Sequence, residues 1–232
     1  MNEKYLKNPE SLIIGPMVSE LQIPWIQEQV TSIENPYPIM AVDGGVDWFK
    51  SLGLYPSHLI GDWDSISSED AKNLFPSAEI QSHPRDKDRT DFALACQWSH
   101  QVASPRRVIA IGFLGGRKDH ELAVLLECMR WNRARGTEFN LWQRDQFWKI
   151  SQGQTKLSRG SGFSHFSIIS LENDLRSVKV SIQGAQYSGK DIGFTAPSLG
   201  ISNQFQEDEV TIDSKDHTIL IWSGNHDDDQ RV

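Results

Sequence analysis

A change of texture near residue 140 constrains this chain's fold more than any other feature. Before it, short apolar runs recur: "SLIIG" (11–15), "IMAVD" (39–43), "HLIGD" (58–62), "AEIQS" (78–82) and "RVIAIG" (107–112). Segments of helical spacing or composition lie between them. In "DHELAVLLECMRWNRAR" the residues Leu122, Leu125, Leu126 and Met129 fall at i, i+3, i+4, i+7, and Gly136 follows as a helix stop. "TDFALACQWSHQV" reads as a second helix, with Thr90 placed to cap it. Strand, helix, strand, helix predicts a parallel sheet of the Rossmann type.

Beyond residue 140 the helical period disappears. "FNLWQ", "QFWKIS", "HFSIISL", "SVKVSIQG", "EVTID" and "TILIW" are short, rich in β-branched and aromatic residues, and separated by Gly, Ser, Asn and Asp. They predict an all-β sandwich. The expected architecture is an N-terminal α/β domain, 1–145, followed by a C-terminal β-sandwich domain, 146–232. The tail "GNHDDDQRV" is expected to fray.

Composition bounds the function classes. Net charge is −8, which disfavours nucleic acid or an anionic membrane as the default partner. An anionic nucleotide stays possible where cations are supplied locally. No apolar run approaches the ~20 residues of a membrane helix, and the start "MNEKYLKNPESLIIGP" lacks a signal-type apolar segment. Two cysteines, Cys96 and Cys128, suggest a reducing compartment and buried packing thiols. A cytoplasmic address is the expectation.

Four polar clusters fall at strand ends or helix starts of the first domain, where open α/β sheets bind ligands. "AVDGG" places Asp43, Gly44 and Gly45 directly after a strand, as a tight turn or as an approach for an anion. "GDWDS" carries Asp62 and Asp64. If the strand continues, the two share a face at roughly 6–7 Å between Cα atoms. Hard carboxylate oxygens of this kind suit Mg²⁺ held together with phosphates, whereas a polar turn capping the next helix through Asp64 or Ser65 is the plainer alternative. "RDKDRTDFALAC" interleaves Asp86, Asp88 and Asp91 with Arg85, Lys87 and Arg89, either as a self-neutralised loop or as further acids for a metal pocket. "GFLGGRKDHELA" opens a helix with Arg117, Asp119 and His120 after Gly115-Gly116. Arg is the natural phosphate clamp, and the glycine turn could cradle an anion. No Walker-type or G-x-G-x-x-G loop is present.

In this order and spacing the clusters resemble the thiamine pyrophosphokinase (thiamine diphosphokinase) family. "AVDGGVDWFKSLGLYPSHLIGDWDSIS" resembles its D-G-G and G-D-F-D-S segments, "DKDRTDFALAC" its D-x-D-x-T-D helix start, and "IGFLGGRKDHELAVL" its G-G-R-x-D-H segment. "AQYSGKDIGFTAPSLGISNQF" resembles the stretch ending in an S-N pair. The resemblance spans roughly residues 40 to 222. It implies transfer of pyrophosphate from ATP to thiamine, giving AMP and thiamine diphosphate, with Mg²⁺, by a homodimer whose active site lies between subunits.

Carried onto this chain, it implies Asp62, Asp64 and Asp91 as metal ligands, with these three and Arg117 as the catalytic set. Asp43, Gly44, Asp88, Thr90, Arg117, Asp119 and His120 are implied around the nucleotide. Ser202 and Asn203 are implied on the thiamine side. Departures from the family pattern are Trp63 for Phe, Lys87 where Gln is common, Val124 for an Asn, Thr195-Ala-Pro-Ser198 for a glycine-containing turn, and "IIGPM" for a more glycine-rich loop. The alternatives are a pyrophosphokinase of this fold acting on another alcohol, such as a pterin, and a non-catalytic nucleotide- or thiamine-binding protein.

Overall fold

The structure, a computed structural model, describes residues 10–31, 33, 37–63, 67–143, 146–159, 163–170, 172, 178–196 and 198–224. The chain groups into two compact units, one of Met1–Glu127 and Leu141–Arg144, the other of Cys128–Asn140 and Asp145–Val232.

In the first unit, β1 (Glu10–Ile14), β2 (Ile39–Val42), β3 (His58–Gly61), β4 (Glu79–Ser82) and β5 (Arg107–Ile111) form a parallel ladder in the order β5-β1-β2-β3-β4. The inner strands are buried almost throughout, as continuous apolar runs in a parallel sheet should be when helices cover both faces. Those helices are α1 (Ile23–Thr31), α2 (Val46–Leu52), α3 (Ser68–Leu74) and α4 (Asp91–Val102), with the first part of α5 (Lys118–Arg135), whose residues from Cys128 on group with the second unit. Leu12, Ile14, Ala41, Phe49, Leu59, Ile109 and Ile111 sit in one core cluster.

The caps follow simple rules. Ser67 accepts the Asp70 N–H at 3.0 Å to open α3, and Thr90 accepts the Ala93 N–H at 3.2 Å to open α4. Gly53 and Gly136, both left-handed at φ 68° and 69°, follow α2 and α5.

Two sequence expectations change here. β3 stops at Gly61 rather than running on through the acidic pair, and Trp63 turns the chain at φ 61°. A bulky residue in that region costs about 1–2 kcal/mol, so the surroundings hold it: the indole Nε1 donates to Ser82 Oγ at 2.8 Å. On α5, Leu122 and Leu126 are 56% and 46% exposed, while Val124, Cys128, Met129 and Trp131 are buried. The buried set Val124, Cys128, Trp131 also runs i, i+4, i+7, but two residues (about 200°) around the helix from the leucine pair. Spacing identified the helix; of the four residues that marked it, Met129 is buried, Leu125 is half-buried, and Leu122 and Leu126 are exposed.

The second unit holds β7 (Gln146–Ser151), β8 (Gln154–Ser158), β9 (His165–Ile169), β10 (Lys179–Gln183), β11 (Gly189–Gly193), β12 (Asn203–Gln204), β13 (Glu209–Asp213) and β14 (Ile219–Gly224). One antiparallel ladder runs β12-β9-β14-β7 and a second β11-β10-β13-β8. Phe166, Ile168, Ile219 and Ile221 from the first meet Val180, Ile182, Val210, Ile212 and Leu157 from the second in one core. The α/β unit followed by a sandwich is the fold class expected from the sequence. β8, β11 and β12 had no clear signal. β6 (Glu138–Gln143) is where the two units divide. Among the described residues, no helix is long and apolar enough to cross a membrane.

Candidate functional site

The carboxyl ends of β2 and β3 and the start of α4 bring the first acids together. Asp43 follows β2 in a 3-10 turn, Asp43–Gly45, with a left-handed backbone at φ 47°. Its Oδ1 accepts the Asp62 N–H at 3.3 Å, which ties the β2 turn to the end of β3. Gly61 is required beneath this contact, because a Cβ there would collide with Asp43 Oδ1. His83, after β4, donates its N–H to Gly61 O at 3.0 Å and braces the same corner from the sheet edge.

Asp91 joins from the first turn of α4, capped by Thr90. Its Oδ1 accepts from Lys87 Nζ at 2.6 Å, and the two side chains are only 16% and 13% exposed. Asp43 feels the whole group. Burial, then the charge of Asp91, pushes its carboxyl up to about 7, Asp62 adds to the rise, and the Asp62 N–H and Lys87 oppose it. A carboxyl held up in this way is one that burial has taken from water, with neighbouring acids adding to the effect.

The second group surrounds the turn after β5. Arg117 donates to Asp119 through Nε at 3.1 Å and Nη2 at 2.6 Å, and both side chains are exposed. This fork holds the Asp119 carboxyl down at about 2. The glycine turn expected to cradle an anion already holds one from its own chain: Gly115 N–H donates to Glu121 Oε1, and Lys118 Nζ holds Oε2 at 2.9 Å. That contact takes Glu121 below the usual carboxylate range, led by the Lys118 bond.

The remaining sequence candidates sort as follows. Gly44 lies in the Asp43 turn; Asp88 and His120 are exposed; Asp64 lies outside the described residues. In the second unit Asn203 is buried. Its Oδ1 accepts from Tyr187 N at 3.0 Å and Gln204 N at 2.9 Å, and its Nδ2 donates to Tyr187 O at 3.1 Å, so the side chain holds the Tyr187 loop. Ser202 is exposed, left-handed at φ 59°, and anchored through its N–H to Ser167 Oγ at 3.1 Å. Cys96 and Cys128 form no disulfide and are fully buried, as expected of packing thiols. Sequence reasoning passed over Glu121 and the Lys87–Asp91 pair. The only signal for the pair was its i, i+4 spacing, which mixed charge in a loop commonly produces without consequence.

Whether this corner suits Mg²⁺ can be judged from its donors. They are hard carboxylate oxygens, few in number, and Mg²⁺ is usually held by one or two carboxylates together with phosphate and water. Among the described residues, no three His, Cys, Asp or Glu side chains are close enough together to hold an ion by themselves.

The first unit is thus an α/β fold with carboxylates gathered at its strand ends, and a β-sandwich follows it in the chain. Residues 31–141 match the family model described as thiamin pyrophosphokinase, catalytic domain, the family whose motifs the sequence resembles. The chain is similar to the thiamine pyrophosphokinase of Bacillus subtilis (strain 168), at 31% identity over 84 residues, covering 36% of this chain and 39% of the relative. It is also similar to a thiamin pyrophosphokinase of Caenorhabditis elegans, at 29% over 124 residues, covering 46% and 49%. The matched segments thus span less than half the length of these curated relatives. The crystal structure of the Bacillus subtilis thiamine pyrophosphokinase superposes over 95% of this chain and 100% of its own, with a TM-score of 0.75 at 18% identity, and so shares the fold.

Proposed function

We propose that the chain is a thiamine diphosphokinase, moving the pyrophosphoryl group of ATP to the hydroxyl of thiamine with Mg²⁺ as cofactor, and acting as a cytoplasmic homodimer. One observation carries this reading: Asp43, Asp62, Asp91 and Lys87 meet within the segment that matches the catalytic domain.

The thiamine hydroxyl attacks the β-phosphorus. A new oxygen–phosphorus bond forms as the bond to the α,β-bridging oxygen breaks, and AMP leaves. Such transfers depend on positioning and charge stabilisation more than on covalent help from the protein. Asp62, Asp64 and Asp91 would hold Mg²⁺, which when bound neutralises phosphate oxygens. Arg117 uses two of its five N–H donors on Asp119, so that pair presents an oriented fork to a phosphate. A carboxylate of the set takes the hydroxyl proton, a contribution of ~10²–10⁴-fold. Asn203 acts on the thiamine side by fixing the Tyr187 loop, with Ser202 beside it. The two-domain division follows: residues 1–145 bind nucleotide, and 146–232 bind thiamine.

The test is AMP release from ATP and thiamine with Mg²⁺. The wild type should turn over, and Asp62→Asn should lose roughly 10²–10³-fold or more in kcat while remaining folded. Near-normal turnover in Asp62→Asn would remove the acidic site from the reaction. A wild type that releases no AMP would remove the reaction itself.

A further inference from the structure

The motif cations do not all face the acids. Arg89 donates to Gln97 Oε1, and Arg117 is on Asp119. Lys87 alone of these three lies against Asp91, with its ammonium 2.6 Å from the carboxylate oxygen and both side chains largely buried. Asp43 feels Lys87 as an attractive charge and Asp91 and Asp62 as repulsive ones, so the ammonium on Asp91 is also within electrostatic reach of Asp43. An ammonium at that distance occupies a position where a divalent cation would bind an oxygen at about 2.0–2.1 Å. The two cannot share it. Lysine's flexible four-carbon stem allows the charge to move without moving the backbone.

We infer that Lys87 is the resident counter-ion of the acidic site, holding Asp91 while no divalent cation is bound and moving to a nucleotide phosphate when the cation takes Asp91. This rests on the function proposed above and deepens it. The chain guards its acids with its own charge, so divalent cation enters tightly only together with the nucleotide, whose phosphates give the displaced ammonium a new partner. Removing the ammonium alone leaves Asp91 partly buried and uncompensated, and a free divalent cation should then fill the gap.

The experiment measures Mn²⁺ binding, by electron paramagnetic resonance of the free ion, in nucleotide-free wild type, Lys87→Gln and Lys87→Arg. The glutamine can still donate to Asp91 but carries no charge. Lys87→Gln is expected to bind Mn²⁺ about tenfold more tightly than wild type or more, and to bind ATP with Mn²⁺ more weakly. Lys87→Arg, which keeps the charge, should stay as weak as wild type. If Lys87→Gln is unstable, added Mn²⁺ should restore its melting temperature toward the wild-type value. Unchanged or weaker Mn²⁺ binding in Lys87→Gln, tight binding in Lys87→Arg, or no rescue by Mn²⁺ overturns the counter-ion role. AMP release by the wild type keeps that failure separate from failure of the enzymatic reading, whose loss would overturn both.

Discussion

Asp43 shows what a buried, crowded carboxyl does to stability. Its carboxyl sits at about 7 in the folded protein, above the ordinary 3.8, because burial and Asp91 disfavour its charge. A group raised in this way contributes stability that is complete below pH 3.8 and is lost as the pH rises through 7. Without divalent cation, Asp43→Asn should therefore melt above wild type at pH 8, by at least about 2–4 °C per kcal/mol relieved. The gap should narrow at pH 5, where the aspartic acid is itself neutral. The substitution preserves the oxygen that accepts the Asp62 N–H, so the turn should survive. Calorimetry at the two pH values decides; equal melting at pH 8 contradicts the crowding. Arg117 behaves differently because it is exposed. Arg117→Ala should leave stability within about 0.5 kcal/mol and raise KM for ATP roughly tenfold through loss of a charge-assisted contact. A change confined to the KM for thiamine would reject the phosphate clamp.

Among the elements, α5 is the most instructive. Its apolar residues are spread around the helix: Leu122 and Leu126 lie outside, while Val124, Cys128, Met129 and Trp131 are buried. Met129→Ala should cost about 2–5 kcal/mol through the cavity it leaves. Leu126→Ser should cost less than about 0.5 kcal/mol. Chemical denaturation of both variants compares them directly, and a large loss in Leu126→Ser would mean that this face is covered in solution. The end of β3 teaches the converse lesson. The sequence left open whether the strand ran on through the aspartates or curled into a turn; β3 stops at Gly61, and Trp63 turns the chain with its indole bonded to Ser82, a partner nineteen positions away. Local pattern found the acids; a long-range contact fixes the turn at Trp63 that follows Asp62.

At the scale of the molecule, two units carry two separate cores, and the acids belong to the first while Ser202 and Asn203 belong to the second. ATP with Mg²⁺ at 100 times its Kd should stabilise the unit that binds it by about 2.7 kcal/mol, or roughly 5–10 °C in Tm. Calorimetry that resolved no shift with either substrate would remove both sites.

The order of strands and helices, the switch to an all-β second half, the caps at Thr90 and Gly136, and the acids at strand ends were all legible in the sequence. They depend on residue type at short range: period, turn chemistry and apolar content. The sequence did not show the pairing of Lys87 with Asp91 in place of a solvated loop, the bond from Asp62 to Asp43, or the carboxylate of Glu121 at the glycine turn. Nor did it show that Asn203 holds a loop. Those depend on which charges are brought within a few ångströms and how deeply they are buried, and only chain folding sets both. The sequence by itself determined which chemical groups this protein has to work with. Tertiary structure decided which of them face one another, because electrostatic energy depends on distance and burial, and neither is a property of a residue's place in the chain.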